Sequence, residues 1–208
     1  NCTELFGSDA QIDATIDETL AQYRELGVRF RWTIPPGARP ADLAERLARH
    51  GMKRQEALGM AHATEVDDAP LAPGVTVDEV DLANVDEFTR VMAVGWESDP
   101  APLDTLHRRM LAAPVRRHYH FIARKDGIAG AVGSYTALQN SAYLIGAVTL
   151  PGLRGGGLYR ALVHARLRHI ASRNIKLATT LARAGTSAPI LKRLGFGVAF
   201  SIPIFTND

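Results

Sequence analysis

The sequence predicts an α/β protein with a mixed, mostly antiparallel sheet flanked by helices, and three observations carry that prediction. Short apolar runs of strand length alternate with segments of helical spacing along the 208 residues. Two turn signals, Lys125-Asp126-Gly127 and Gln139-Asn140-Ser141, join three successive strand-like runs, which makes them antiparallel neighbours. Between Ala142 and Arg173 an apolar run breaks at Pro151-Gly152 and passes through Arg154-Gly155-Gly156-Gly157 into a helix.

In order, Gln11 to Leu26 reads as a helix with Ile12, Ile16, Leu20 and Tyr23 on one face, ended by Gly27. Val28 to Ile34 alternates like a strand. Pro35-Pro36-Gly37 breaks the chain, and Pro40 opens a helix carrying Leu43 and Leu47 that stops at Gly51. Met52 to Ala63 reads as a strand. Residues 64–74 are acidic, hold two prolines and read as a linker. After it come a strand over 75–80, helices over 85–94 and 102–112, and the three strands 119–124, 128–137 and 142–149. The helix after the glycines runs to about Arg173-Asn174, followed by a strand over 175–181. A short helix capped by Ser187 and closed by Gly195 precedes a last strand over 198–204.

Composition narrows the classes. Hydrophobic content of 46% with 22% charged residues suits a globular protein. The single Cys2 gives no internal disulfide framework and no cysteine metal cluster, which suits a reducing compartment such as the cytoplasm. No apolar run reaches the ~18–20 residues of a membrane span. The start, Asn-Cys-Thr-Glu, does not read as a signal peptide, and without Met the chain reads as a fragment or a trimmed one. The net charge of +2 hides an asymmetry: residues 127–207 hold nine Lys or Arg and no carboxylate. A basic half points to an anionic partner. Nucleic acid is disfavoured, because the basic residues are not interleaved with aromatics for base stacking.

Strand, glycine loop and helix make a phosphate cradle. Three consecutive glycines supply no side-chain packing; they let backbone N–H groups converge on a ligand. The helix adds its unpaired first-turn N–H groups and the positive end of its dipole. The P-loop pattern fails, since no Gly-Lys-Ser/Thr follows. The dinucleotide pattern fails as well, because its third glycine would fall at Arg160.

What the stretch resembles is the acyl-CoA loop of the GNAT acetyltransferase superfamily, Arg/Gln-x-x-Gly-x-Gly/Ala, here Arg154-Gly155-Gly156-Gly157-Leu158-Tyr159 with Pro151 ahead of it. The departure is Tyr159, where a small residue is usual; its side chain has to point away from the pyrophosphate. A second motif, Pro189 to Phe196 with Leu-Gly-Phe at its end, is similar to the family's late helix–strand junction. The element order from residue 75 onward is similar to the whole GNAT fold. The division expected is a GNAT domain over 75–208, the linker 64–74, and a degenerate GNAT-like half-domain over 1–63. That half-domain repeats the helix–strand–helix–strand order of 158–204 without a glycine loop. An unrelated helix–strand pair covering a sheet edge is the alternative for 1–63.

The resemblance implies an N-acetyltransferase moving acetyl from acetyl-CoA to a primary amine on a small molecule or peptide, with no metal and possible homodimerisation. It implies that Arg154, Gly155, Gly156, Gly157, Leu158 and Tyr159 hold the CoA phosphates. It places Ala147, Val148 and Thr149 along the pantetheine arm, with a Val148 or Thr149 amide as oxyanion donor. The family's late-helix tyrosine acid is Leu191 here, and its strand glutamate base has no counterpart. The base is therefore expected in the earlier half, at Glu97 or at His120, which lies with His118 on one face of its strand. Tyr135, Tyr143, Tyr159 and Ser187 are all candidates for the acid. The stripe Arg160, His164, Arg168 reads as a solvated helical face, with Arg160 nearest the phosphates. A CoA-binding module without catalysis is the alternative function.

Overall fold

The computed structural model describes residues 4–65 and 70–207; Cys2 and residues 66–69 of the expected linker lie outside the described residues. The elements in order are α1 (Asp9–Glu25), β1 (Arg31–Thr33), α2 (Leu43–Arg49), β2 (Lys53–Ala63), β3 (Val75–Glu79), α3 (Val85–Trp96), α4 (Pro100–Leu111) and β4 (His118–Lys125). They continue with β5 (Ile128–Ala137), β6 (Ala142–Thr149), a 3-10 turn (Pro151–Leu153), α5 (Leu158–Ser172), β7 (Leu177–Arg183), α6 (Ser187–Arg193) and β8 (Gly197–Thr206). The strand order is β1-β8-β2-β7-β6-β5-β4-β3, a mixed and mostly antiparallel open sheet. Two compact units divide the chain, and the division falls inside β2 and β7. One unit holds Asn1–Met60, Ala182–Arg193 and Val198–Asp208; the other holds Ala61–Leu181 and Leu194–Gly197.

In the first unit, β1 pairs antiparallel with β8, with Trp32 opposite Phe205. Both side chains are fully buried and pack with Ile12, Ile16, Leu43 and Leu47. The entry to α1 is fixed by Gln11, whose side-chain oxygen accepts from the Ser8 backbone N–H at 2.8 Å. The strand expected over 28–34 shortens to three residues, Arg31–Thr33, because of a residue far along the chain. Asn207 accepts from the Phe30 N–H at 2.9 Å and donates to the Val28 carbonyl at 3.3 Å, so a side-chain amide takes the place of a ladder there. Arg46 is buried under α1 and α2 and bonds three carboxylates, Asp9 at 2.6 Å, Asp13 at 3.1 Å and Asp42 at 3.0 Å.

In the second unit, β3 to β6 form a continuous antiparallel meander. β7 joins parallel to β6, as a crossover through α5 requires. Opposite faces of β4 and β5 serve different helices, because side chains alternate along a strand. Ile122 and Val132 pack with Val85, Phe88, Val91 and Met92 of α3. Phe121 and Tyr135 meet His169 of α5 instead. The β5–β6 register shifts between Val132 and Ser134, opposite Gly146 at φ +66°.

Candidate functional site

The site is built where β6 gives way to α5. The 3-10 turn closes with Leu153 N–H to Leu150 O at 3.0 Å, and Leu153 folds back over β5. That approach needs Gly130, where a Cβ would stand 2.3 Å from Leu153 and 2.8 Å from Leu158. Gly155 and Gly157 then adopt φ +80° and +83°, a left-handed backbone that side chains disfavour. No heavy atom lies within 4 Å of a Cβ built on Gly155, so this side of the loop faces open space. Gly157 caps α5, and its carbonyl accepts from Ala161 N–H at 2.9 Å. Leu158 is buried as an anchor beneath the loop. Arg154 donates from Nε to the Thr149 carbonyl at 3.3 Å. The Tyr159 phenol lies near the Arg166 guanidinium, and burial raises its pKa.

Beside the loop, β6 is only partly laddered to β7. The pairs are Ala142–Ala178, Tyr143–Thr179 and Leu144–Thr180. Val148 and Thr149 pair on their other side with β5, at Val132 and Ala131, Ala147 falls at the register shift, and all three are half-buried. One backbone edge of this stretch is therefore outside the β7 ladder.

The end of α3 and β6 are brought together from distant parts of the sequence. The last turn of α3 sits on β6: a Cβ on Gly95 would lie 2.3 Å from Val148. Two residues on, Glu97 closes α3 in a left-handed conformation, φ 50° and ψ 50°, and is exposed. It lines a cavity of about 520 Å³ between α3 and α4, together with Asp86, Arg90 and Asp104.

His120 is placed differently. It is 3% exposed, its Nδ1 is 2.7 Å from Ser134 Oγ, and its ring lies against Phe88 and His107. Burial, helped by His107, Arg116 and His118, pushes its pKa down to about 3, so the ring is neutral at physiological pH. His107, bonded to Thr89 at 2.9 Å, is lowered by burial too. His118 shares the face, as the alternation predicts, but is half-buried, with Nδ1 3.0 Å from Thr136 Oγ1. Leu191 is buried in α6. Among the other tyrosines, Tyr135 is fully buried and bonded to His169 Nδ1 at 2.6 Å, whereas Tyr143 stands half-buried on β6 itself.

Arg166 escaped the sequence reading. It is 1% exposed, yet Leu158, Leu162, Arg166 and Ile170 follow one another at four-residue steps. An arginine inside that buried stripe was the available signal. Arg160 and Arg168 are exposed, as expected of a solvated face, but His164 between them is half-buried, with Arg160 Nε donating to its Nε2 at 3.4 Å. Among the described residues, no group of three His, Cys, Asp or Glu is placed to hold a metal ion, and no helix is long and apolar enough to cross a membrane.

This arrangement is the fold of the GCN5-related N-acetyltransferases, the GNAT superfamily. A GCN5-related N-acetyltransferase from Kribbella flavida is similar over 97% of this chain and 77% of its own, with TM-score 0.61 and 20% identity. One from Sphaerobacter thermophilus is similar over 93% of this chain and 66% of its own, with TM-score 0.67 and 13% identity. A tandem GNAT protein from the clavulanic acid biosynthesis pathway matches 93% of this chain and 68% of its own, with TM-score 0.58 and 18% identity. No protein-family model and no curated protein matches the sequence.

Proposed function

We propose that the protein is an N-acyltransferase that moves acetyl from acetyl-CoA directly to a primary amine on a small molecule or peptide. The observation that carries this reading is the open glycine turn capping α5, next to a β6 edge that β7 leaves unpaired. The backbone N–H groups from Gly155 to Tyr159 would receive the CoA diphosphate, aided by the α5 dipole. The amides of Ala147, Val148 and Thr149 would hold the pantetheine arm, and a Val148 or Thr149 N–H would meet the oxyanion.

Direct transfer needs the amine nitrogen to attack the thioester carbonyl, the C–S bond to break, the amine to lose a proton and the thiolate to gain one. We assign the base role to Glu97 acting through water. It is exposed in the cavity beside the α3 turn that packs on β6. His120, the other candidate, is a weak base walled in by Phe88 and His107. Tyr143 is the proton donor we favour, because it stands half-buried on β6 itself, whereas Tyr135 is fully buried. The α1–β1–α2–β2 order over residues 1–63 supports reading that segment as a degenerate half-copy of the fold.

A CoA-binding module without catalysis is favoured by buried Leu191 and the absence of carboxylates over 127–207. Thiol release from acetyl-CoA with a panel of amines decides between the two. We expect turnover with at least one amine, and Glu97→Gln should lower it by roughly 10²–10⁴ while CoA affinity by calorimetry stays unchanged. Calorimetric CoA binding with no turnover on any amine would leave only the binding module.

A further inference from the structure

The second unit buries a full positive charge without an acidic partner. Arg166 donates from Nε to the Leu162 carbonyl at 3.0 Å and from Nη1 to the Ser134 carbonyl at 3.1 Å, and the Tyr159 phenol lies near it. All three are neutral. Among the described residues no carboxylate bonds it, and residues 127–207 contain none. The guanidinium rests on Gly133: a Cβ there would stand 3.1 Å from its central carbon and 3.4 Å from the Ala147 side chain. Burial brings its pKa down to about 10, which still leaves it protonated at neutral pH.

A buried cation held only by dipoles is costly, and it is not needed to complete an otherwise apolar stripe. Its position offers an explanation. Arg166 lies eight residues along α5 from Leu158, about 12 Å at the helical rise. Its side chain leans back toward the helix start, as side chains on a helix do, and as its bond to the Leu162 carbonyl shows. At that end of the helix lies the open turn at Gly155, with the positive end of the α5 dipole. The charge and the dipole thus add at one place, in a medium that screens poorly.

From this juxtaposition we infer that Arg166 is a positioning residue for anion capture: its counter-charge is the diphosphate of the acyl carrier bound at the α5 glycine turn. The inference rests on the CoA reading of that turn. Tyr159, the residue that departs from the family pattern, then has a role: its phenol lies beside the guanidinium. At roughly 10 Å and an effective dielectric near 20, one such charge changes the affinity for an anion by roughly tenfold.

The test is calorimetry with two probes, CoA and pantetheine, which lacks the phosphates. Arg166→Met should bind CoA roughly tenfold more weakly than the parent and pantetheine equally well. Arg166→Lys cannot repeat the two guanidinium hydrogen bonds but keeps the charge, so its CoA affinity should stay close to the parent's. Equal CoA affinity in Arg166→Met and parent overturns the inference while leaving the CoA reading intact. So does an equal loss in the Met and Lys variants on both probes, which would mark a structural role. A parent that does not bind CoA overturns the reading and the inference with it. Should Arg166→Met not fold, the parent in molar salt decides. A buried charge is little screened, so most of the preference for CoA over pantetheine should persist. Its collapse would mean that exposed cations such as Arg154 and Arg160 carry it, against the inference.

Discussion

Each unit of the molecule buries one arginine, and the two are treated in opposite ways. Arg46 in the first unit is 6% exposed and bonds three carboxylates, Asp9, Asp13 and Asp42. Its pKa is raised, chiefly by the bonds to Asp42 and Asp13. Arg166 in the second unit is 1% exposed, bonds two backbone carbonyls, and its pKa is lowered by burial. A cation whose job ends with tying α1 to α2 is neutralised within the fold. A cation left with dipoles alone is available to a ligand's charge.

The sharpest way to break that contrast is to put a carboxylate where the anion would sit. Gly157→Glu does so, at φ +83° and with its Cβ 3.2 Å from that of Ala72. Backbone strain and like-charge repulsion should together lower CoA affinity by about 100-fold, read by calorimetry. Unchanged affinity would place the phosphates elsewhere.

A smaller effect is expected at His120, a buried group of the second unit that avoids charge altogether. Its folded pKa of about 3 lies below the ordinary histidine value of 6.5. The unfolded chain therefore takes up the proton first as pH falls, and stability declines from about pH 6.5 down to about 3. At pH 5 this amounts to about 2 kcal/mol, provided the ring stays in its pocket. Replacing His120 by Gln should flatten that part of the stability–pH curve, measured by urea denaturation; an identical slope would mean that His107 alone carries the acid sensitivity.

The smallest pH effect belongs to the compensated cation. Asp13 and Asp42 have lowered pKa values, mainly through their bonds to Arg46. Their stabilisation is present above the unfolded carboxylate range, about pH 4, and is lost as pH falls through the folded values. Arg46→Met should flatten this acid limb and lower Tm by roughly 5 °C, with CoA binding untouched. A loss of CoA affinity in that variant would show that the two arginines are not separate in function.

Much of the fold and part of the site were legible in the sequence, because local rules fix them. Tight turns after short runs make antiparallel neighbours, so β4, β5 and β6 were read with nearly their true bounds. Gly155 and Gly157 announce positive φ by having no side chain, so the open turn capping α5 could be read without knowing what surrounds it. Other features depend on partners far along the chain, and only the tertiary structure decided them. β1 stops short because Asn207 reaches Val28 and Phe30. His118 and His120 are indistinguishable by alternation, yet Phe88 and His107 close over one of them and leave the other half-open. The end of α3 that carries Glu97 sits on β6 only because Gly95 lets it press on Val148. The charge balance of the two arginines depends on which carboxylates tertiary packing brings near, since sequence spacing sets neighbours along one helix face but not across helices.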